Sequence, residues 1–215
     1  MSESVTVTGA AEPRRGRPGY DRRGVLEIAV QAFNEYGYDA TSLGTLASRL
    51  GLSKSAIYHH FPSKEQLLEA ALDEALGGLE AVLEEPAATS GRPADRLVYV
   101  LDRAVHVLVD KLPYVTLLLR LRGNTDVERA ALERRRAFDR ALTALVVEAQ
   151  QAGELRSDID PRVAERLLFG MINSIVEWYR PEGPEDPAQL AADVVAVAVD
   201  GLRIARRAPG IIPGE

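Results

Sequence analysis

TSLGTLASRLGLSKSAIYHHFPSKEQLL, residues Thr41–Leu68, is the stretch that decides the fold. Thr41 and Ser42 are N-cap types, and Leu43, Leu46, Ala47 and Leu50 follow them at helical spacing, so a short helix is expected. Gly51-Leu52 supplies a turn, Ser53 can cap a second short helix over Lys54–Phe61, and Pro62 stops it. Ser63-x-x-Gln66 then has the form of a capping box, opening a longer helix through Leu67, Leu68, Ala71, Leu72, Leu76, Leu79 and Leu83. At about 100° per residue, Ile57 and Phe61 lie together and turn inward with Leu46 and Leu50. The opposite arc presents Ser55, Ala56, Tyr58 and His59, with Lys54 at the helix start. A second short helix with an exposed polar face is what a DNA-reading helix-turn-helix requires. Small residues at 55 and 56 let such a helix sit deep in the major groove. By spacing alone, a three-helix packing unit with a solvated face remains the alternative.

Upstream, Val25, Ile28, Ala29, Ala32 and Phe33 recur at helical spacing between Tyr20 and Tyr36, and Gly37 ends the run. Residues 1–19 read as a flexible basic arm. Downstream, Gly77-Gly78 interrupts the long helix and suggests a bend, and Pro86–Pro93 reads as a loop. Further helices are expected at about 93–111, 113–122, 125–152, 161–180 and 187–207. Thr125-x-x-Glu128 is a second capping box, and Asp160-Pro161 and Asp186-Pro187 place an N-cap before a first-turn proline. Nothing alternates as a strand would. The expectation is an all-α chain of about nine helices: a three-helix helix-turn-helix DNA-binding domain at 20–66, a helical ligand-binding and dimerisation domain at 67–207, and a tail at 208–215.

The composition agrees with two globular units. Of 215 residues, 46% are hydrophobic and 27% charged. With no cysteine, disulfides, cysteine-ligated zinc and thiol nucleophiles are excluded. The net charge of −6 divides unevenly: residues 1–64 carry eight Arg or Lys against six acids, leaving −8 for the rest. Only the basic part needs to meet phosphate. Five of its bases fall within Arg14–Arg23, and Arg14, Arg15 and Arg17 are expected to reach a groove or the backbone of DNA. No apolar run spans a bilayer and no signal peptide is legible, so a cytoplasmic location without membrane contact is expected. No nucleophile elbow, phosphate-binding loop, dinucleotide fingerprint or zinc-protease motif occurs, which argues against an enzyme. No cofactor is expected. Metal binding by His59 and His60 is disfavoured because adjacent helical residues diverge by about 100°.

Thr41–Leu68, with AFNEYGYDATS at Ala32–Ser42, closely resembles the signature of the TetR (tetracycline repressor-like) transcriptional regulators. The resemblance implies a homodimer on a palindromic double-stranded operator, with transcription relieved by a small-molecule inducer. It also implies phosphate contacts at Thr41, Ser42, Tyr58, His60 and Lys64. Base reading is implied for Lys54, Ser55 and Ala56, and His59 would share both roles. Some members read a base early in the preceding helix; here that position is Gly44, so only backbone contacts are expected from it.

In the second half, Leu167, Met171 and Ile175, with Val194, Val197, Ala198 and Gly201, suggest helices buried on more than one side, one side against a partner subunit. Polar and aromatic residues set among apolar stripes are the candidate ligand contacts. They are Tyr99, Arg103 and His106, then Tyr114, Arg120 and Arg122, and finally Phe169, Asn173 and Trp178. Arginines beside so much apolar surface suit a ligand with an apolar body and an anionic head. NSIVEWYRPEG at Asn173–Gly183 also resembles actinobacterial TetR regulators that respond to acyl-coenzyme A thioesters, which implies an acyl-CoA inducer. The competing expectation is an efflux-pump repressor sensing a hydrophobic or cationic drug, for which Glu165 and Glu177 would be the acids.

Overall fold

The computed structural model describes residues 21–51 and 53–202. Ten helices occur among them: α1 (Arg22–Tyr36), α2 (Leu43–Leu50), α3 (Lys54–His60), α4 (Lys64–Glu84), α5 (Pro86–Thr89), α6 (Pro93–Asp110), α7 (Leu112–Leu119), α8 (Asp126–Gln151), α9 (Pro161–Trp178) and α10 (Pro187–Leu202). The tenth is the single turn α5, inside the expected loop, where Pro86 with its fixed φ starts a turn. The arm with Arg14, Arg15 and Arg17, and the tail at 208–215, lie outside the described residues.

Local chemistry sets each helix start. Asp21 accepts from Gly24 N at 2.7 Å, so α1 begins at Arg22. Ser42, Ser53 and Ser63 accept from Thr45 N, Ala56 N and Gln66 N at 3.0, 3.2 and 3.2 Å. Gly51 closes α2 in the left-handed region at φ +61°, which a side chain rarely adopts. Thr125 caps α8 by accepting from Glu128 N at 3.2 Å. The Glu128 carboxylate does not complete a box with Thr125. It is buried and accepts from Arg122, Gly123 and Asn124 N at 3.2, 2.8 and 3.0 Å, tying down the α7–α8 loop.

Phe33, Leu46, Ile57 and Phe61 are fully buried and hold α1–α3 together. The second unit is built around α6, which packs against α4, α8, α9 and α10. α4 belongs to both units, packing on α1 and on α6–α8. The two glycines do not interrupt the helix: α4 runs unbroken from Lys64 to Glu84. Gly78 instead permits a close helix crossing: a Cβ there would lie 2.9 Å from Val107 Cγ1. Gly77 faces open space.

Candidate nucleic-acid interface and ligand groove

On α3, Ile57 is buried while Lys54, Ser55, Tyr58 and His59 are exposed; Ala56 and His60 are half-buried. Lys54 lies across α2 at Gly44, where a Cβ would stand 3.0 Å from Lys54 Cε. The absent side chain therefore makes room for the lysine, a role that spacing alone did not reveal. Ser42, Gly44, Lys54, Tyr58 and Lys64 line one shallow depression of about 400 Å³. Lys64 Nζ sits 4.1 Å from the Tyr38 ring centroid and donates to Asp39 O at 3.4 Å, so its ammonium is held at the start of α4. Thr41 departs from expectation. It is buried, and its hydroxyl donates to Gly37 O at 2.8 Å, pinning the turn between α1 and α2 rather than facing solvent.

The expected ligand residues do not converge. Tyr99 donates to the Glu85 carboxylate and lines a groove between α6 and α10. His106 lies 3.8 Å from Asp102, and Arg103 Nε is buried without a hydrogen-bond partner among the described residues. Tyr114 lines a separate cleft with Arg22, Arg23 and Glu74. Arg120 and Arg122 line a third, between the end of α1 and the α7–α8 loop, where Arg120 donates to Asn34 O at 2.7 Å. Trp178 is exposed on the outer face of α9. Helical spacing showed which residues share a face but not which helix covers it.

Phe169 and Asn173 do share a groove, and five arginines line it with them. Between α8 and α9 a depression of about 640 Å³ is lined by Arg135, Arg136, Arg140, Arg162 and Arg166, with Asp139, Glu165, Thr143, Phe169, Gly170 and Asn173. The Phe138 and Phe169 rings meet edge to face beneath it, centroids 5.2 Å apart. Burial pushes the Asp139 and Glu165 carboxyls above their ordinary values, while Arg135 and Arg166 pull both back. The signal was present in the run Arg134–Arg136 and in Arg162/Arg166 one turn apart.

The partner-facing residues also divide. Leu167 and Val197 are 66% and 68% exposed, and with Val163 and Trp178 leave apolar surface on the outside of α9 and α10. Met171 is half-buried. Ile175, Val194 and Ala198 are buried in the subunit's own core, so they offer a partner no surface. The surroundings of Gly201 lie outside what is described.

The family model of bacterial regulatory proteins, tetR family, matches residues 25–71, and that of the tetracyclin repressor-like C-terminal domain matches residues 90–202. The chain belongs to the TetR family. A TetR-family regulator from Streptomyces coelicolor A3 is 50% identical, with a TM-score of 0.79 over 84% of this chain and 91% of that one. The repressor KstR2 of Rhodococcus jostii is 30% identical over 89% of this chain and 95% of its own length. AibR, solved with isovaleryl coenzyme A and operator DNA, shares the fold at 24% identity and TM-score 0.70, over 83% of this chain and 97% of its own. This TetR-family chain is thus a DNA-binding transcriptional regulator, with its DNA-binding helix-turn-helix at the N-terminus. No helix among the described residues is long and apolar enough to cross a membrane.

The helix α4, shared by both units of the regulator, is tied to the second unit at named atoms, and α1 is tied to α7. Arg134 of α8 donates through Nε and Nη2 to the Glu80 carboxylate, both at 2.8 Å, and reaches Asp73 at 2.5 Å. Both acids stand on α4. Lys111 reaches Glu74 at 2.5 Å on the same helix. Asn34 of α1 donates to Pro113 O of α7 at 2.8 Å.

Proposed function

We propose that this regulator is a repressor that binds a palindromic operator as a homodimer and is released by an acyl-CoA thioester. The observation that carries the reading is the solvent-facing arc of α3, with Lys54, Ser55, Tyr58 and His59 open and Ser42 and Lys64 on its flank. Helix N-termini capped by Ser42 and Ser63 present amides to phosphates, and the two lysines add charge. In this reading Lys54, Ser55 and Ala56 meet base edges. Ser42, Tyr58, His60 and Lys64 meet phosphates, His59 does both, and the arm Arg14, Arg15 and Arg17 adds a salt-sensitive contact. The domains are 20–66 for DNA and 67–207 for ligand and partner. Subunits meet through the open apolar strip of Val163, Leu167, Trp178 and Val197, an isologous surface on adjacent helices.

The arginine groove supports an anionic inducer. A cationic drug seeking Glu165 would first meet Arg135 and Arg166, which speaks against the efflux-pump alternative. AibR, with the same fold, is described with an acyl-CoA and operator together. Ligand on α8 acts on α4 through Arg134, and α4 begins at Lys64 in the DNA unit. It must bind the operator-free state more tightly to release DNA. Fluorescence anisotropy on the promoter of its own gene, with short, long and aromatic acyl-CoAs and a cationic dye, tests this. One acyl-CoA class should raise the operator Kd and the protein's Tm. Unchanged Tm and intact operator binding across the panel would sink the inducer assignment.

A further inference from the structure

We propose that the groove between α8 and α9 is a phosphate-binding site, which takes the phosphate-bearing nucleotide end of coenzyme A while the acyl end lies elsewhere in the sensor unit. The proposal deepens the acyl-CoA reading and rests on it for the identity of the ligand.

The arginines of the groove are not equivalent. Arg136 and Arg140 both engage Glu133, at 3.3 and 3.0 Å, and Arg134 outside the groove spends its fork on Glu80. Arg135, Arg162 and Arg166 have no ion pair or hydrogen bond among the described residues. Arg162 and Arg166 stand one helical turn apart on α9, and Arg135 stands on the facing wall of α8. Three guanidinium groups lining one groove from two helices repel one another, and an anion bound there relieves that repulsion. Asp139 and Glu165 temper that repulsion from the groove wall, but both are drawn out of water, where the charged carboxylate is disfavoured. A planar fork matched to phosphate oxygens is the property that separates arginine from lysine, and here all five cations are arginine.

The rest of the groove suits a nucleotide rather than a free phosphate. Phe169 gives an apolar floor, Asn173 gives a hydrogen-bonding group, and a Cβ at Gly170 would meet nothing within 4 Å, so the glycine leaves the lip of the groove low. A volume of about 640 Å³ holds more than one phosphate. α8 also carries Arg134, adjacent in sequence to Arg135, so phosphates drawn to one face of this helix load the face that grips α4.

Isothermal titration of the full chain with octanoyl-CoA, coenzyme A, octanoate and inorganic pyrophosphate tests the site. The variant R135Q/R162Q/R166Q should weaken octanoyl-CoA and coenzyme A by about 100-fold or more, since each charge-assisted contact is worth roughly tenfold. It should leave octanoate, operator affinity and oligomeric state unchanged. Asp139→Asn removes a competing carboxylate and should tighten coenzyme A several-fold; it decides the matter if the triple variant does not fold. Octanoyl-CoA binding unchanged in the triple variant, or coenzyme A binding unchanged in D139N, overturns the groove and leaves the acyl-CoA reading standing. Pyrophosphate bound by the native protein and lost in the triple variant, with no response to octanoyl-CoA, upholds the groove and removes the acyl-CoA reading. No binding of any phosphate compound overturns both. A triple variant altered in oligomeric state on sedimentation overturns the proposal in favour of a subunit contact.

Discussion

The chain carries two basic surfaces built on opposite principles. At the DNA-binding end the cations are few, and they stand on short helices whose serine caps and small side chains bring backbone close to the surface. Between α8 and α9 the cations are many and all arginine, on long helices whose walls include the buried Glu165 and the half-buried Asp139. The first arrangement is shallow and open along an exposed helix face, and suits a long line of phosphates read in sequence. The second is concave and suits one multivalent ligand. Charge alone does not tell them apart; the residue types and the helices that carry them do.

That contrast can be broken most severely at the core beneath each surface. Phe61→Ala, below α3, should cost about 3–5 kcal/mol of stability by urea titration and abolish operator binding. Phe138→Ala, under the arginine groove, should cost a similar amount, but its first functional loss should be the ligand response.

The joint between the surfaces comes next. Gly78→Ala must push Val107 aside and should cost about 1–3 kcal/mol while altering induction. Gly77→Ala meets open space and should stabilise by up to about 1 kcal/mol with no change in dose response. A matched outcome for the two glycines, read by thermal melting and reporter induction, would show that the α4–α6 crossing plays no part in induction.

Smaller still, Lys54→Ala and Tyr58→Ala should each weaken operator binding by about tenfold at fixed salt, with acyl-CoA affinity intact. Equal losses for both ligands would erase the distinction between the surfaces.

The subtlest effect is in pH. The Arg134 hydrogen bond holds Glu80 below the ordinary 4.5. The stability from that pair is present above this value and is lost as pH falls through the depressed one. Asp139 is shifted the other way, above 3.8, by burial. Its favourable share is present below 3.8 and lost as pH rises through the raised value. Arg134→Met should therefore flatten the acid limb of the stability curve. Asp139→Asn should stabilise at about pH 7 and lose that advantage in strong acid.

Much of this was legible in the residues, and the failures share one cause. Ser42, Ser53, Ser63, Thr125, Asp160 and Asp186 act as caps because capping is a contact within three residues of the same chain. Ile57 and Phe61 point inward because helical phase is also local. Thr41, by contrast, has the type of a phosphate contact, yet its hydroxyl turns toward the end of α1. Ile175, Val194 and Ala198 look like partner-facing residues, but neighbouring helices of the same subunit already cover them. Tyr99, Tyr114 and Arg120 are amphipathic residues on apolar stripes, and each opens into a different cleft.

The sequence by itself determined the all-helical architecture, the order of its elements, the DNA-reading helix and the family. Those depend on periodicity, capping and a contiguous motif, all of them short-range. Only the tertiary structure decided that Gly78 is a crossing point, that Glu128 anchors a loop, that Arg134 grips α4, and that Arg135 meets Arg162 and Arg166 across one groove. Each needs two segments distant in the chain to be brought side by side, and helical spacing within one segment carries no information about its neighbour.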